Sequence, residues 1–311
     1  MVNNLSTIDL LMARTNRIMD LLKLMKFTKN WYSVVLFSMG LKKTLVIHLK
    51  SGKKINILNN KELAEFWNGR TWQLETSEKN DVIKFGKTIV KVNYKGRSLR
   101  FVEAGETDIV VKEQFLNDIY RFFDVKDKTV VDIGANVGDT AIYFAVNGAR
   151  HVFALEPFPS TYNIAKKNIR LNSLDSRITI VNAGYGKNGM IKIDDSYVSS
   201  AGSNLRDFKK GKNVLVYSLE NLVEKFKISK AALKMDCEGS EYNLLKTDNA
   251  VLRRFSPIVI EYHYGYRNLV RKLREAGFLV EYTRPRYNYN AYATDPHMYS
   301  GLIKAWLADE E

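Results

Sequence analysis

Residues 131–139 read VDIGANVGD, and this stretch joins a short apolar strand to an apolar helix. The run 130–133 is typical of a buried strand, and 137–146 has helical spacing. Gly134 and Gly138 permit a tight turn and a close approach of the backbone to a ligand. In parallel α/β sheets ligands bind beyond the carboxyl ends of the strands. The stretch therefore predicts a strand, a loop and a helix at the ligand-binding edge of a parallel sheet.

Strand-like and helix-like segments alternate from residue 129 onward. Further strands are predicted at 152–155, 178–182, 232–235 and 258–262, and helices at 160–171, 241–245 and 269–276. Such alternation is typical of a mostly parallel sheet with helices on both faces. Two last apolar runs, 278–282 and 298–306, have no helix between them and predict a terminal antiparallel hairpin. The expected fold class is therefore α/β.

The first third of the chain mixes helices with β-hairpins. Helical spacing or apolar character predicts helices at 7–27, 31–39 and 61–67, and a further helix at 108–123. Alternation around a glycine predicts two hairpins, at 44–58 and 87–103. We therefore divide the chain into an N-terminal accessory region, 1–106, and a larger α/β domain, 107–311.

The net charge of the chain is +14, from 48 Lys and Arg against 34 Asp and Glu. Residues 1–60 contain ten of the basic and two of the acidic residues, and so carry more than half of this excess. A basic excess favours an anionic partner, which is a nucleic acid, an anionic membrane or an acidic substrate. Residues 1–60 fit a peripheral anchor on an anionic membrane, and they also fit a helical hairpin packed on its own protein.

Composition excludes several classes of protein. With 26% charged and 45% hydrophobic residues, the chain is neither disordered nor collagen-like. A single cysteine, Cys237, excludes a secreted domain built on disulfides and favours a reducing compartment. The longest apolar run, 31–41, is about half of the roughly 20 residues that span a bilayer. We therefore expect a cytoplasmic protein with peripheral contact at the inner membrane face, and the sequence leaves the oligomeric state open.

Polar residues after the first parallel strands indicate the cofactor. Glu156, followed by Pro157, stands where an acid accepts hydrogen bonds from ribose hydroxyls. A dinucleotide-binding loop requires glycine at the positions that Asn136 and Asp139 occupy here, and the carboxylate of Asp139 would repel a pyrophosphate. This carboxylate suits an ammonium group, so S-adenosylmethionine is favoured over NAD. Asn182 would either face the adenine edge or cap its strand. The predicted cofactor-binding residues are Asp132, Gly134, Asn136, Gly138, Glu156, Pro157, Asn182, Asp236 and Glu238.

A second polar group follows two later strands. Asp236 and Glu238 end one strand, and Glu261 and His263 end the next. Side chains two residues apart on a strand share a face, so the members of each pair point the same way. Charges at the ends of apolar strands require partners or a ligand, because an unpaired buried charge is costly. We assign catalytic roles to His263, Asp236 and Glu261.

A methyl group on a sulfonium is transferred by in-line displacement, which depends mainly on alignment. A hydroxyl acceptor also benefits from a base, and His263 is the candidate at neutral pH, oriented by Glu261 or Asp236. The same carboxylates and histidine would also suit a hard divalent cation, but we assign no metal ligand. Cys237 lies between two acids, which oppose thiolate formation, and is interpreted as structural.

Three segments resemble the FkbM family of S-adenosylmethionine-dependent methyltransferases. They are VVDIGANVGDTAIYFA (130–145), ALEPFPSTYNIAKKNIRLN (154–172) and LKMDCEGSEYNLL (233–245). The resemblance covers about 108–283 and implies a class I, Rossmann-like fold with a seven-stranded sheet. It also implies O-methylation of a hydroxyl on a sugar, polyketide or related metabolite. The residues that match the family motifs, and would hold the cofactor or flank its methyl group, are Asp132, Gly134, Asn136, Gly138, Glu156, Asp236 and Glu238.

Two functions remain open on the sequence. The favoured one is methylation of a hydroxyl on a sugar, glycan or small metabolite, and the alternative is an RNA methyltransferase that binds nucleic acid through the basic amino-terminal region. The acidic groups at the predicted acceptor mouth repel phosphate, so nucleic acid is the less favoured partner. The tyrosine-rich stretch 282–299 would either stack on a sugar or nucleobase or form a solvated loop.

Overall fold

The computed structural model describes Met25 and residues 28–38, 41–48, 50, 52, 54–57, 84–85, 89–102, 104, 107–194, 207–287 and 299–308. The helices predicted at 7–27, apart from Met25, and at 61–67 lie outside these residues, as does 288–298 of the tyrosine-rich stretch. The chain forms two compact units, Met1–Lys79 with Arg284–Ser300, and Asn80–Thr283 with Gly301–Glu311.

The smaller unit contains a helix and a hairpin. Helix α1 (Trp31–Ser38) precedes strands β1 (Leu45–His48) and β2 (Lys54–Ile57), which pair antiparallel. The side chain of Asn30 ties the start of the helix to the hairpin, because its Nδ2 donates to Val46 O at 2.7 Å and its Oδ1 accepts from His48 N at 2.8 Å. The predicted helix at 31–39 and hairpin at 44–58 are therefore confirmed.

The larger unit is built on a mostly parallel sheet. Its strands are β6 (Thr129–Ile133), β7 (His151–Leu155), β8 (Ile178–Val181), β12 (Ala231–Met235), β13 (Phe255–Tyr262), β14 (Phe278–Tyr282) and β16 (Tyr299–Leu307). Their order is β14-β16-β13-β12-β6-β7-β8, and only β16 among these seven runs antiparallel to its neighbours. Strand β15 (Arg286–Tyr287) pairs with Tyr299 and Ser300. The Rossmann-like α/β class, the seven-stranded sheet and the terminal antiparallel pair are confirmed.

Alternate residues of these strands fill two cores. Val130 and Ala232 belong to the core on one face, and Val131 and Leu233 belong to the core on the other. The strands are apolar almost throughout, because helices cover both faces of the sheet and both faces are therefore buried. The principal helices are α2 (Thr107–Phe115), α3 (Asp139–Val146), α4 (Pro159–Leu171) and α7 (Arg267–Glu275). Helix α2 ends well before residue 123, the predicted end.

The second hairpin belongs to the larger unit, so the predicted boundary at residue 106 differs from the structure. Strands β3 (Lys84–Phe85), β4 (Ile89–Tyr94) and β5 (Arg97–Val102) form an antiparallel sheet. Its apolar side chains, including Phe101, join the same core as Phe144 of α3. The backbone N–H of Val102 also donates to Asn168 Oδ1 of α4 at 2.7 Å. The division therefore falls near residue 80, and 284–300 joins the smaller unit.

A small sheet between β8 and β12 has no counterpart in the prediction. Strands β9 (Ala183–Tyr185), β10 (Gly189–Ile193) and β11 (Lys212–Tyr217) are too short, or too irregular in pattern, to be detected from periodicity. Helix α5 (Leu219–Lys225) follows, and its start is capped by Ser218 Oγ, which accepts from Asn221 N. The helix predicted at 241–245 is a 3-10 helix, Ser240–Lys246, followed by α6 (Asn249–Leu252).

No helix in the described ranges combines the length and the hydropathy needed to cross a bilayer.

Candidate active site

The loop between β6 and α3 is held against the backbone of two neighbouring strands. The N–H groups of Gly134 and Ala135 both donate to Leu155 O, at 3.0 and 2.9 Å. Gly134 has a φ of 80°, and a Cβ atom there would overlap the carbonyl oxygen of Asp236. Gly138, at φ 83°, lies against Ala165 of α4. Protein atoms therefore occupy the space that a Cβ would need at Gly134 and crowd it at Gly138, while the predicted approach of a ligand to both glycines stays a prediction.

Asp132 forms a buried ion pair with Lys234, a residue that the sequence analysis missed. The two residues lie side by side on β6 and β12, and Lys234 Nζ is 3.1 Å from Asp132 Oδ1. Thr140 donates to the other carboxylate oxygen at 2.6 Å. Burial opposes the charge of Lys234, but the carboxylate of Asp132 raises the pKa of the ammonium above its ordinary value. The cation beside Asp132 is therefore a side chain of the protein.

Lys234 also fixes the loop itself. Its Nζ donates to the carbonyl oxygen of Gly134 at 2.8 Å, so one ammonium group connects the end of β6 with the first residue of the loop. Both side chains are at most 1% exposed, so Asp132 is connected to the loop through Lys234, and its predicted contact with a cofactor stays a prediction. A lone lysine in the otherwise apolar strand Ala231–Met235 is the signal that would have identified this residue.

Glu156 connects the loop to the end of β7. Its Oε2 accepts from Asn136 N at 3.0 Å and its Oε1 accepts from Phe158 N at 2.9 Å. Burial raises the pKa of this carboxyl to about 8 in spite of these bonds. The Nδ2 of Asn182 donates to the carbonyl oxygens of Glu156 and Pro157, at 2.9 Å each. Of the two interpretations of Asn182, these bonds match the strand cap.

Asp139 provides an acceptor that fits a cationic ligand. The side chain is 2% exposed at the start of α3, and its Oδ1 has no hydrogen-bond partner in the described part of the chain. Burial raises the pKa of this carboxyl to about 7, opposed by Lys234. Buried polar atoms are almost always paired, so an orphan acceptor here indicates a missing donor. The ammonium and sulfonium groups of S-adenosylmethionine fit this acidic surrounding, and a pyrophosphate does not.

Three side chains meet at the carboxyl ends of β12 and β13. Nε2 of His263 lies 3.2 Å from Glu238 Oε2 and 3.7 Å from Asp236 Oδ1. Asp236 directly follows β12, and Glu238 has a φ of 51° in the turn behind it. These residues lie together at one edge of the sheet, as their positions at the ends of two strands predict.

The carboxylate that orients His263 is Glu241, which the sequence analysis did not select. Glu241 is fully buried, and its Oε1 accepts from the backbone N of His263 at 2.9 Å and faces Nδ1 at 3.0 Å. Glu241 therefore takes the role that the sequence predicts for Glu261 or Asp236. Burial opposes the charged ring, but Glu238 and Glu241 raise the pKa of His263 well above its ordinary value. These contacts favour the imidazolium, which is a hydrogen-bond donor rather than a base.

Burial also raises the pKa values of the neighbouring acids and of the cysteine. Burial raises the pKa of Glu238 to about 7, opposed by His263, and burial together with Asp236 raises the pKa of Glu261 to about 8. Cys237 is half-buried with its Sγ 3.7 Å from Glu241 Oε2, and burial and that carboxylate raise the pKa of the thiol. This environment disfavours a thiolate nucleophile, as the structural interpretation of Cys237 expects.

The site lies within a segment that matches a known family. Residues 132–280 match the methyltransferase FkbM domain. The match covers just under half of the chain. The matched segment contains every residue of the site from Asp132 to His263.

Proteins similar to this chain match it over part of its length. The hexuronic acid methyltransferase AglP of Haloferax volcanii is 26% identical over 165 residues, which are 51% of this chain and 66% of AglP. TYW2 of M. jannaschii, solved in complex with AdoMet, is 15% identical over 72% of this chain and 88% of its own, with a TM-score of 0.38. Trm5b of Pyrococcus abyssi is 18% identical over 70% of this chain and 56% of its own, with a TM-score of 0.39. The chain thus matches just under two thirds of the length of AglP.

Proposed function

We propose that this protein transfers a methyl group from S-adenosylmethionine to a hydroxyl group of a sugar, glycan or small metabolite. The observation that carries the proposal is a contact between the loop that joins β6 to α3, called the cofactor loop below, and the group formed by Asp236, Glu238 and His263. The carbonyl oxygen of Asp236 lies directly against Gly134 of the cofactor loop. A methyl donor held by the loop and an acceptor held by Asp236, Glu238 and His263 would therefore meet. The likeness to AglP, a hexuronic acid methyltransferase, supports a sugar as acceptor.

The chemistry requires alignment more than activation. When bound, S-adenosylmethionine supplies a methyl group on a positively charged sulfur. The new C–O bond forms as the C–S bond breaks, and the proton of the hydroxyl leaves to a carboxylate of this edge. Asp236, Glu238 and His263 would hold the hydroxyl in line with the methyl group, and such positioning contributes most of the rate in reactions of this type.

The alternative acceptor is RNA, and the charge of the site argues against it. Asp236, Glu238, Glu241 and Glu261 all lie close enough to His263 or to one another to shift a pKa at this edge. A phosphate-bearing acceptor would have to approach these carboxylates, which repel it. The basic residues within 1–60 stay a predicted contact with an anionic surface, either a membrane or a nucleic acid.

One assay with the full chain distinguishes the chemical classes of methyl acceptor. The protein is incubated with S-adenosylmethionine labelled in its methyl group, and with nucleotide sugars, free uronic acids, glycans, tRNA or rRNA in separate reactions. We expect label in a carbohydrate fraction that survives mild alkali, because a methyl ether is stable to base and a methyl ester releases methanol. Label released by alkali would identify a carboxylate as the acceptor and contradict hydroxyl methylation. Label only in RNA would establish the alternative and contradict a sugar, glycan or small-metabolite acceptor.

Replacing His263 separates the reaction from cofactor binding. In His263→Ala we expect turnover to fall by about 10²-fold or more, because the side chain would position the acceptor hydroxyl rather than hold the loop. Calorimetry should show an affinity for S-adenosylmethionine within a few-fold of the parent protein. His151→Ala is the matched control, because His151 is half-buried at the opposite end of β7 and contacts Thr179. Normal turnover in His263→Ala would contradict a role for this residue in the reaction.

A further inference from the structure

The donor atoms of Asp236, Glu238 and His263 converge on one point. One carboxylate oxygen of each acid and one ring nitrogen of His263 all lie within 4.8 Å of one another. The two contacts to Nε2 are 3.2 and 3.7 Å long. Neighbouring ligands of a six-coordinate cation, each about 2.2 Å from the metal, are about 3.1 Å apart. The two contacts to Nε2 are close to this spacing, which suits a single ion that replaces the proton on Nε2 and binds all three atoms.

The histidine is oriented as a metal ligand is. Nδ1 of His263 faces the fully buried carboxylate of Glu241 at 3.0 Å, which directs Nε2 towards Asp236 and Glu238. Glu241 is itself fixed, because its Oε2 accepts from Gly239 N at 2.8 Å. A carboxylate on the far nitrogen is the usual support of a metal-binding histidine, since it sets the tautomer and the orientation of the ring. This support is independent of the two acids that converge on Nε2.

The charge of the site also favours a cation. Three carboxylates, those of Asp236, Glu238 and Glu241, surround one imidazole ring that is 3% exposed. The neighbouring ammonium of Lys234 is already shared between Asp132 and the carbonyl of Gly134. The side chains of Asp236 and Glu238 are 32% and 20% exposed, so only Glu241 is withdrawn from water, but ionised carboxylates this close together repel one another unless a cation lies between them. A divalent cation at the point of convergence would balance this excess.

We propose that Asp236 Oδ1, Glu238 Oε2 and His263 Nε2 form a three-ligand site for a divalent cation. Two carboxylate oxygens and one imidazole nitrogen match a six-coordinate ion such as Mn²⁺ or Mg²⁺. Three protein ligands leave further positions for water or for an acceptor oxygen. The role of these positions, which is to fix the acceptor hydroxyl beside the cofactor loop, rests on the proposed methyl transfer; the binding of the metal does not.

Direct titration with Mn²⁺ tests the site without any assay of activity. The full chain is treated with a chelator, and free Mn²⁺ is measured by electron paramagnetic resonance during titration. We expect one Mn²⁺ per chain, with Mg²⁺ as a competitor. Asp236→Asn and Glu238→Gln should each weaken binding by at least tenfold, while Glu275→Gln, an exposed residue paired with Arg271, should leave it unchanged. Circular dichroism confirms that each variant is folded.

Glu241→Gln tests the support of the histidine. It keeps the size of the side chain but removes its charge, and the amide cannot accept from both Gly239 N and His263, so we expect a loss of about 10–100-fold in Mn²⁺ affinity. No saturable binding of Mn²⁺, or equal binding in the parent protein, Asp236→Asn and Glu238→Gln, would overturn the site. Methyl transfer that persists in excess chelator would overturn the metal's role in the reaction and leave the proposed function standing. Specific Mn²⁺ binding without hydroxyl methylation would do the reverse.

Discussion

Gly134→Ala is expected to lower the free energy of unfolding by about 3–5 kcal/mol. Alanine tolerates the left-handed φ of this position poorly, and its methyl group would clash in a packed region. The new methyl group would overlap the carbonyl oxygen of Asp236, which is backbone and cannot rotate away. The loop and the end of β12 must therefore separate. Because this contact joins the cofactor loop to the acceptor side of the site, we also expect the affinity for S-adenosylmethionine to fall by more than a hundredfold.

Gly96→Ala is the matched control for Gly134→Ala. Gly96 has a φ of 76°, close to the 80° of Gly134, but a Cβ atom there meets nothing within 4 Å. The backbone strain is therefore the same, about 1–2 kcal/mol, and only the clash differs. Urea denaturation followed by circular dichroism measures both variants, and calorimetry measures cofactor affinity. Equal losses of stability in the two variants would show that the contact with Asp236 is unimportant.

Lys234→Met is expected to lower the free energy of unfolding by about 3–5 kcal/mol, because it leaves the carboxylate of Asp132 buried without its cation. The same substitution removes the donor to the carbonyl of Gly134, so cofactor affinity should also fall. Lys246→Met replaces an exposed lysine of the 3-10 helix and should change stability by no more than about 0.5 kcal/mol. Thermal and urea unfolding of the three proteins give the comparison.

A second substitution separates the charge of Asp132 from the position of the loop. Asp132→Asn combined with Lys234→Met removes both charges, and we expect most of the lost stability to return, since replacing both partners of a buried ion pair is often close to neutral. Cofactor affinity should stay low in the double variant, because the donor to Gly134 O is still absent. Full recovery of both stability and affinity would contradict the role of Lys234 in holding the loop.

Much of the candidate site follows from local sequence. Asp132, Glu156, Asp236 and Glu261 each end an apolar strand, and the carboxyl ends of parallel strands lie at one edge of a sheet. Their convergence was therefore predictable once the alternation of strands and helices was recognised. The glycines of the loop were predictable as well, but the reason for them was not. Whether a glycine faces a ligand or another strand depends on which strand is its neighbour.

The sequence by itself determined the α/β class, the parallel sheet with its terminal antiparallel pair, and the acidic character of the site, because strand and helix periods and strand ends are local properties. Tertiary structure alone decided that Lys234 neutralises Asp132, that Glu241 orients His263, and that the hairpin at 89–102 belongs with the larger unit. Each of these depends on the order of the strands and their register. Order and register are set by packing between distant segments, which no local pattern records.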